Sequence, residues 1–491
     1  SSFRPMNKGY NVTQFYALGF SPHGEVIGGT QDNGTQMVGW KPEYSNSGIT
    51  RGATPQSGMK VKGGDGGFAE MSRINPDIMF VESQFSTDVH GWLQRTKDKG
   101  LSLEYSNNDK LFLDAFVENY LETNGAPFIT PFSLWENPND SESRDSITFV
   151  NGTTALGIGA GDGVSSSFSG VIEAPQNSAE IDYSTIRFYS GDMEIVGPNS
   201  AYWSVEFDTL GNAIDSVYVT SVTDVISGDF TVDFGEPASL NVPVLASFET
   251  NYSAGDVLNI QSATLDLPLI YTLTTDLASG DSVRIQDPVQ SKFFLGASNG
   301  TWMTRDALDL SGEGEWMQIA NTSWSTRDID WSVDGNYCFI ASGTSIYRVS
   351  RLRYADDEAH GHIDGSYYVL DQISLGTAHG LPSGQAATGV YVDKKDANRV
   401  VVTFGNYGNT NYVFASSNAL ATSPNFISIQ GDLPQMPVYD ALINIVDSSQ
   451  IFLATEYGVW STSLSYANLP TALTQTCLLY TSDAADDVEC V

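Results

Sequence analysis

The chain has 491 residues, with 59 acidic against 23 basic side chains, a formal net charge of −36 and a pI near 4.1. That balance is the wrong sign for DNA or RNA backbones, which exchange counterions for Lys and Arg, and for anionic membranes, and no apolar run approaches the roughly 18 residues of a membrane span. With 24 Phe, 23 Tyr and 9 Trp a large core is easily built, which excludes disorder for most of the chain. At about 150 residues per domain, the length suits two to four domains or one large all-β domain with an insertion. The chain starts at Ser1 with no signal peptide, and reads as a mature or clipped part of something longer.

Taken in order, the predicted elements repeat one phrase: apolar strand, polar turn, apolar strand, Gly/Thr/Ser-rich turn, third strand. It reads FYALGFSPHGEVIGGTQDNGTQMV from Phe15 and FAEMSRINPDIMFVESQ from Phe68, with a weaker copy in PFITPFSLWENPNDSESRDSITFV from Pro127. It returns as QDPVQSKFFLGASNGTWMT from Gln286 and IDWSVDGNYCFIASGTSIYRV from Ile329. The last copies are GVYVDKKDANRVVVTFGNYGNTNYVF from Gly389 and ALINIVDSSQIFLATEYGVWST from Ala441. Strands of four to six β-branched or aromatic residues bounded by Asp, Asn, Gly or Pro, at a pitch of about 40–50 residues, are what propeller blades require. The expectation is an all-β fold, a β-propeller of about seven four-stranded blades. Only LFLDAFVENYLE (111–122) has an ambiguous helical pattern.

The repeat stops between about 157 and 285. From Asn151 to Ile285 there are 18 acidic residues against Arg187 and Arg284, with no Lys, hence −16. This predicts an inserted acidic, β-rich subdomain or an elaborated blade over 157–285, between propeller parts at 1–156 and 286–470. GIGAGDGVSSSFSG (157–170) reads as a flexible hinge rather than a phosphate loop, because no Lys and no helix pattern follow it.

Cys338, Cys477 and Cys490 give neither a disulfide framework nor metal-ligand spacing. Cys477 to Asp486 match a sequencing adaptor read through as coding sequence, so 477–491 is set aside as a non-native tail. Cys338, between Tyr337 and Phe339, is then an inert core residue, and the native chain is expected to continue past 476.

GTQDNGT (29–35), GGDGGF (63–68), GTWMTRDAL (300–308) and GDLPQMPVYDALINI…ATEYGVWST (431–462) together resemble secreted Asp-box (BNR-type) β-propellers, related to sortilin-like and xyloglucanase-like propellers. The resemblance covers roughly 1–150 and 286–465. It implies an extracellular or outer-surface protein, in many members a type IX secretion substrate of Bacteroidota with a further blade and a sorting domain downstream. Against the Asp-box pattern, Thr30, Asp32, Gly34 and Thr35 match while Gln36 replaces Trp. The copies at Ser298–Trp302 and Thr455–Trp460 lack the Asp. Physically, the Asp carboxylate accepts N–H bonds within its own turn and Gly supplies positive φ, a structural role for Asp32 and Gly34.

A propeller presents its ligand site where loops converge at the mouth of the central channel. Gln31, Asn33, Trp135, Asn406 and Tyr407 are the candidate contacts there, with Trp302, Trp324 and Trp460 as further stacking platforms or core residues. A glycosidase needs two carboxylates, one protonated. The candidates are Asp65 in GGDGG, Glu82 in FVESQ and Glu456 in ATEYG, with Glu136 in LWENP also near a strand end. The plain alternative is that these glycines pack inner strands and that Asp65 caps a turn. His360 and His362 in DDEAHGHID form an H-x-H pair for a transition metal, without a third ligand. Calcium could sit in acid-rich loops such as 137–145, but no D-x-D-x-D-G spacing supports it. Scattered arginines argue against a sialidase-like site. The sequence thus favours a secreted or cell-surface propeller binding a glycan or an extracellular protein, with an endo-acting, xyloglucanase-like glycoside hydrolase as the rival.

Overall fold

A computed structural model describes residues 14–39, 58–84, 93–100, 127–171, 180–191, 193–196, 201–207, 213–220, 229–234, 237–262, 267–309, 314–357, 361–363, 369–469 and 476–480. Strand accounts for 51 % and helix for 3 %, which makes the protein all-β. The ambiguous segment 111–122 lies outside the described residues. The chain divides into two compact units, one formed by Ser1–Arg144 with Pro288–Val491, the other by Asp145–Asp287.

The first unit holds six antiparallel sheets among the described residues. Sheet A comprises Phe15–Phe20, Val26–Thr30, Gly34–Val38 and Met59–Lys62, and sheet B comprises Gly66–Met71, Met79–Ser83 and Leu93–Thr96. Sheet C joins Phe132–Asn137 to Gln290–Ala297, Gly300–Thr304 and Trp316–Asn321. Sheet D runs through Thr326–Trp331, Tyr337–Ser342, Ser345–Ser350 and Asp371–Leu375. Sheet E takes Ala387–Val392, Val400–Phe404, Val413–Ser416 and Ile427–Ser428. Sheet F takes Val438–Ile443, Gln450–Thr455, Gly458–Ser463 and Thr476–Tyr480. In each, the strands follow chain order from one edge to the other, as short connections between β-branched runs dictate.

Sheet C changes the count of repeats. The copies at Pro127 and Gln286 are not two units: Phe132–Asn137 pairs along Gln290–Ala297, so one sheet is split by the second unit. The neck is closed by Asp287 N–H donating to Asp145 O at 2.9 Å. Sheet F is completed by the backbone of Thr476–Tyr480, so the residues at the start of the adaptor-like tail form its outer strand.

Consecutive sheets pack face on face. Ile27, Met37 and Val61 of sheet A meet Ala69, Met79 and Val81 of sheet B, while Phe80 of B lies 4.6 Å from Phe293 of C, centroid to centroid. One cluster joins C to D through Phe294, Met303, Ile340 and Cys338, which is buried and free as expected. Others join D to E through Phe339 and Phe404, and E to F through Val401 and Leu453. An isolated sheet of four short strands exposes both faces to water, and this stacking removes them.

Among its described residues the second unit has one four-stranded sheet, ordered Thr154–Ala160, Pro243–Asn251, Glu180–Ser190 and Met193–Val196, with four two-stranded ribbons. Its cores gather Phe188, Phe234, Val244 and Phe248 in one place and Tyr252, Leu258 and Leu277 in another.

Candidate functional site

In sheets A, C, D and E the turn from second to third strand lies at the same end as the connection to the next sheet, and in sheet F it lies at the end where the chain enters. Hydrogen bonds tie these segments together. Gln31, Asp32 and Asn33 form the turn in sheet A, where Asp32 takes the left-handed conformation at φ 62° and Gly34 follows at 75°. Asn33 Nδ2 donates to Gln31 O at 3.1 Å. The carboxylate that closes this corner is Asp65, which accepts from Asp32 N–H at 2.7 Å. Asp65 N–H in turn donates to Gln84 Oε1 at 2.6 Å. Expectation placed the accepting carboxylate inside the Asp32 turn; the bond comes from the next loop, because Asp32 itself is spent on the left-handed bend. Gly34 is required here, since a Cβ would stand 2.1 Å from Lys62 O.

The same end recurs around the unit. Ser298 and Ser325 hydroxyls meet at 3.1 Å, Ala387 N–H donates to Gly343 O at 2.9 Å, and Gln385 Nε2 donates to Asn411 O at 2.9 Å. Asn406 bends at φ 66° and leaves Tyr407 63 % exposed. Trp324 (64 %), Tyr457 (66 %), Tyr439 and Phe128 are exposed at this end as well. Exposed aromatics from sheets C to F thus share one face.

Trp135 does not join them. It is 1 % exposed, its Nε1 donates to Val333 O at 2.9 Å, and the Lys292 ammonium sits 3.8 Å from its ring centroid. The ring is buried, with one face and its N–H edge used internally, so the expectation of a stacking platform is corrected to a core residue. Trp302 is likewise buried, with the His362 ring edge-on at 5.7 Å. His360 lies outside the described residues. Among the described residues no three His, Cys, Asp or Glu side chains group as metal ligands.

The three carboxylates expected as an acid pair have unlike surroundings. Glu82 is fully buried, accepting from Phe68 N–H at 2.8 Å and Thr130 N–H at 3.0 Å. Burial pushes its carboxyl up to about 8, against those bonds and the Lys62 charge. Where a solvent-facing carboxylate was expected, Glu82 is a buried joint between sheets B and C. Asp65 is spent on its two turns. Glu456 is exposed and accepts from Tyr439 Oη at 2.6 Å.

A second cluster was missed. Glu70, Glu136, Asp328, Asp330 and Asp440 lie on the first strands of sheets B, C, D and F. Asp328 Oδ2 accepts from Val390 N–H at 2.8 Å and Asp330 Oδ2 from Val392 N–H at 2.7 Å, so two acids of sheet D clasp alternate N–H groups on the free edge of sheet E. Lys394 Nζ reaches Asp330 at 2.5 Å and lies over the Trp331 ring. Glu136 accepts from Ser72 Oγ and, at 2.6 Å, from Arg73 N–H. Burial, partly offset by Arg73, raises Glu70 to about 8. Burial and then the Asp440 charge raise Asp328, while Asp440, reachable by water yet crowded by protein, rises to about 6. The available signal was the i, i+2 spacing in RDIDW, which puts both acids on one strand face.

No protein-family model matches the sequence, and no curated protein matches it. Among solved structures it is similar to a GH74 xyloglucanase from Xanthomonas campestris at 10 % identity and TM-score 0.36, over 94 % of this chain and 54 % of that one. A GH74 enzyme from Niastella koreensis gives 10 % identity and 0.34, over 94 % and 53 %. Kluyveromyces lactis Hsv2 gives 7 % and 0.32, over 95 % and 99 %. The chain spans about half the length of the two GH74 structures.

Proposed function

We propose that this chain is a secreted or cell-surface β-propeller that holds a glycan or an extracellular protein at the turn end of its sheets. The six sheets are its blades, their first strands face a common axis, and the acids on those strands clasp the edges that meet there. The observation that carries the reading is the set of exposed aromatics at that end: Phe128, Trp324, Tyr407, Tyr439 and Tyr457. Exposed rings offer flat apolar faces at low entropic cost, suited to sugar C–H faces and to peptide side chains. Asn406, Gln31 and Asn33 add amide donors and acceptors beside them. A glycan and extracellular-protein array tests this. Binding that falls at least about tenfold in Trp324→Ala and Tyr407→Ala, roughly the 1.4 kcal/mol of one lost aromatic contact, supports it, and binding unchanged in both variants overturns it.

One observation favours an endo-acting glycoside hydrolase as a second reading. Glu70 keeps its proton to about pH 8 beside Asp330, which is paired with Lys394, and carboxyls with such divided environments are the raw material of acid–base catalysis. Release of reducing ends from polysaccharides that vanishes in Glu70→Gln would establish it. Hydrolysis that survives this substitution would exclude that pair.

A further inference from the structure

The seam between sheets A and B holds a buried amine against a buried carboxamide. The register of Met59–Lys62 along Gly34–Val38 slips between Gln36 and Thr35, so Lys62 stands across from Thr35 and shares its inward face, while Lys60, across from Gln36, is exposed. On sheet B, Gln94 is paired with Val81, which packs on sheet A, and so faces the same seam. Lys62 Nζ donates to Gln94 Oε1 at 2.7 Å. The two residues are 8 % and 1 % exposed, in a seam whose apolar side chains include Met59, Val61, Met79 and Val81. An ammonium stripped of water and facing a neutral acceptor is disfavoured, so burial lowers Lys62 to about 7, against the field of Glu82. Glu82 is paired with Leu93 and lies on the opposite face of sheet B, and burial keeps the proton on its carboxyl to about 8. A free-base amine is a nucleophile, and the oxygen it touches is bonded to the carboxamide carbon, an electrophile. Burial also holds off water, the competing nucleophile.

We propose that Lys62 and Gln94 condense to an isopeptide bond that staples sheet A to sheet B. A rotation of the carboxamide about Cγ–Cδ brings Cδ to Nζ. The Nζ–Cδ bond forms, a proton passes from Nζ to Nε2, and the Cδ–Nε2 bond breaks with release of ammonia. Nothing is oxidised or reduced, and no co-reactant is consumed. The link closes the chain between residues 62 and 94 and restricts the unfolded state as a disulfide does, in a unit whose described cysteine, Cys338, is free. Lys62 no longer titrates once linked, so any effect of its deprotonation on stability belongs to the unlinked chain.

Intact-mass spectrometry of the full chain, after incubation at about pH 8, tests this. The linked protein should weigh about 17 Da less than its sequence, the mass of one ammonia. Trypsin should then release residues 61–73 joined to residues 74–95 as one branched peptide, uncut after Lys62. That location separates the isopeptide from loss of ammonia at an Asn-Gly step such as Asn33-Gly34. Lys62→Met and Gln94→Leu should each abolish the branched peptide, and the wild-type measurement needs neither variant to fold. A folded wild type at its full sequence mass, with the two peptides recovered separately, overturns the proposal, as does a mass loss that maps outside them.

Discussion

Glu82 shows how one buried carboxyl governs a joint. It receives N–H bonds from Phe68 and Thr130, and Gly67 exists to admit it, since a Cβ there would stand 1.9 Å from Oε1. Its folded pKa of about 8 exceeds the 4.5 of an ordinary glutamate. The folded state therefore keeps a proton that the unfolded chain releases above 4.5, so Glu82's contribution is whole below that pH and is lost as pH rises toward 8. Glu70 acts in the same direction over the same window. Lys62, lowered by burial to about 7, acts oppositely: the unfolded chain holds the extra proton, and stability rises from there toward 10.5. Urea midpoints measured across pH should fall for the wild type between about 4.5 and 7, and Glu82→Gln should flatten that slope. A slope unchanged by the substitution would remove Glu82 from this role. At Gly29 the constraint is backbone, with a Cβ 1.9 Å from Gly67 O, so Gly29→Ala should cost on the order of 1–3 kcal/mol in urea denaturation.

Among the elements, the first strands carry the organising idea. Each is an edge strand, and an edge leaves alternate N–H groups without a ladder partner. Asp328 and Asp330 supply those partners to Val390 and Val392. Removing one leaves a buried donor unsatisfied, so Asp330→Ala should lose roughly 2–4 kcal/mol, the cost of leaving Val392 N–H without an acceptor and the Lys394 ammonium, still bonded to Trp331 O, without its carboxylate. Urea denaturation of Asp330→Ala, Lys394→Met and the double variant checks this. The double variant should be less destabilised than the sum of the two, because neither charge is then left alone. Strand sequences with β-branched alternation, as in GVYV and VVVTF, were legible because the pattern is local. The division of sheet C was not, because its first strand and its second lie far apart in sequence on either side of the second unit. Trp135 was misread for a related reason: exposure depends on Val333 and Gly335, which sequence spacing does not bring near it. The clasping acids were overlooked because an acidic chain offers many equivalent carboxylates, and only the neighbour's backbone distinguishes them.

For the whole molecule, the neck between Asp145 and Asp287 makes the second unit an excursion from sheet C rather than a part of it. Replacing 145–287 with a short Gly-Ser linker should leave a folded first unit whose melting temperature shifts by only a few degrees, measured by calorimetry. Collapse of that variant would show that sheet C needs the inserted unit to assemble. The proposed role of the turn end makes a sharper demand, because it specifies where a ligand lands. Hydrogen exchange followed by mass spectrometry, on the protein with and without the array-selected ligand, reads this directly. Slowed exchange is predicted at 31–33, 322–325, 405–411 and 456–457, with the opposite turns at 332–336, 393–398 and 444–449 unchanged. Protection confined to those opposite turns would contradict the account.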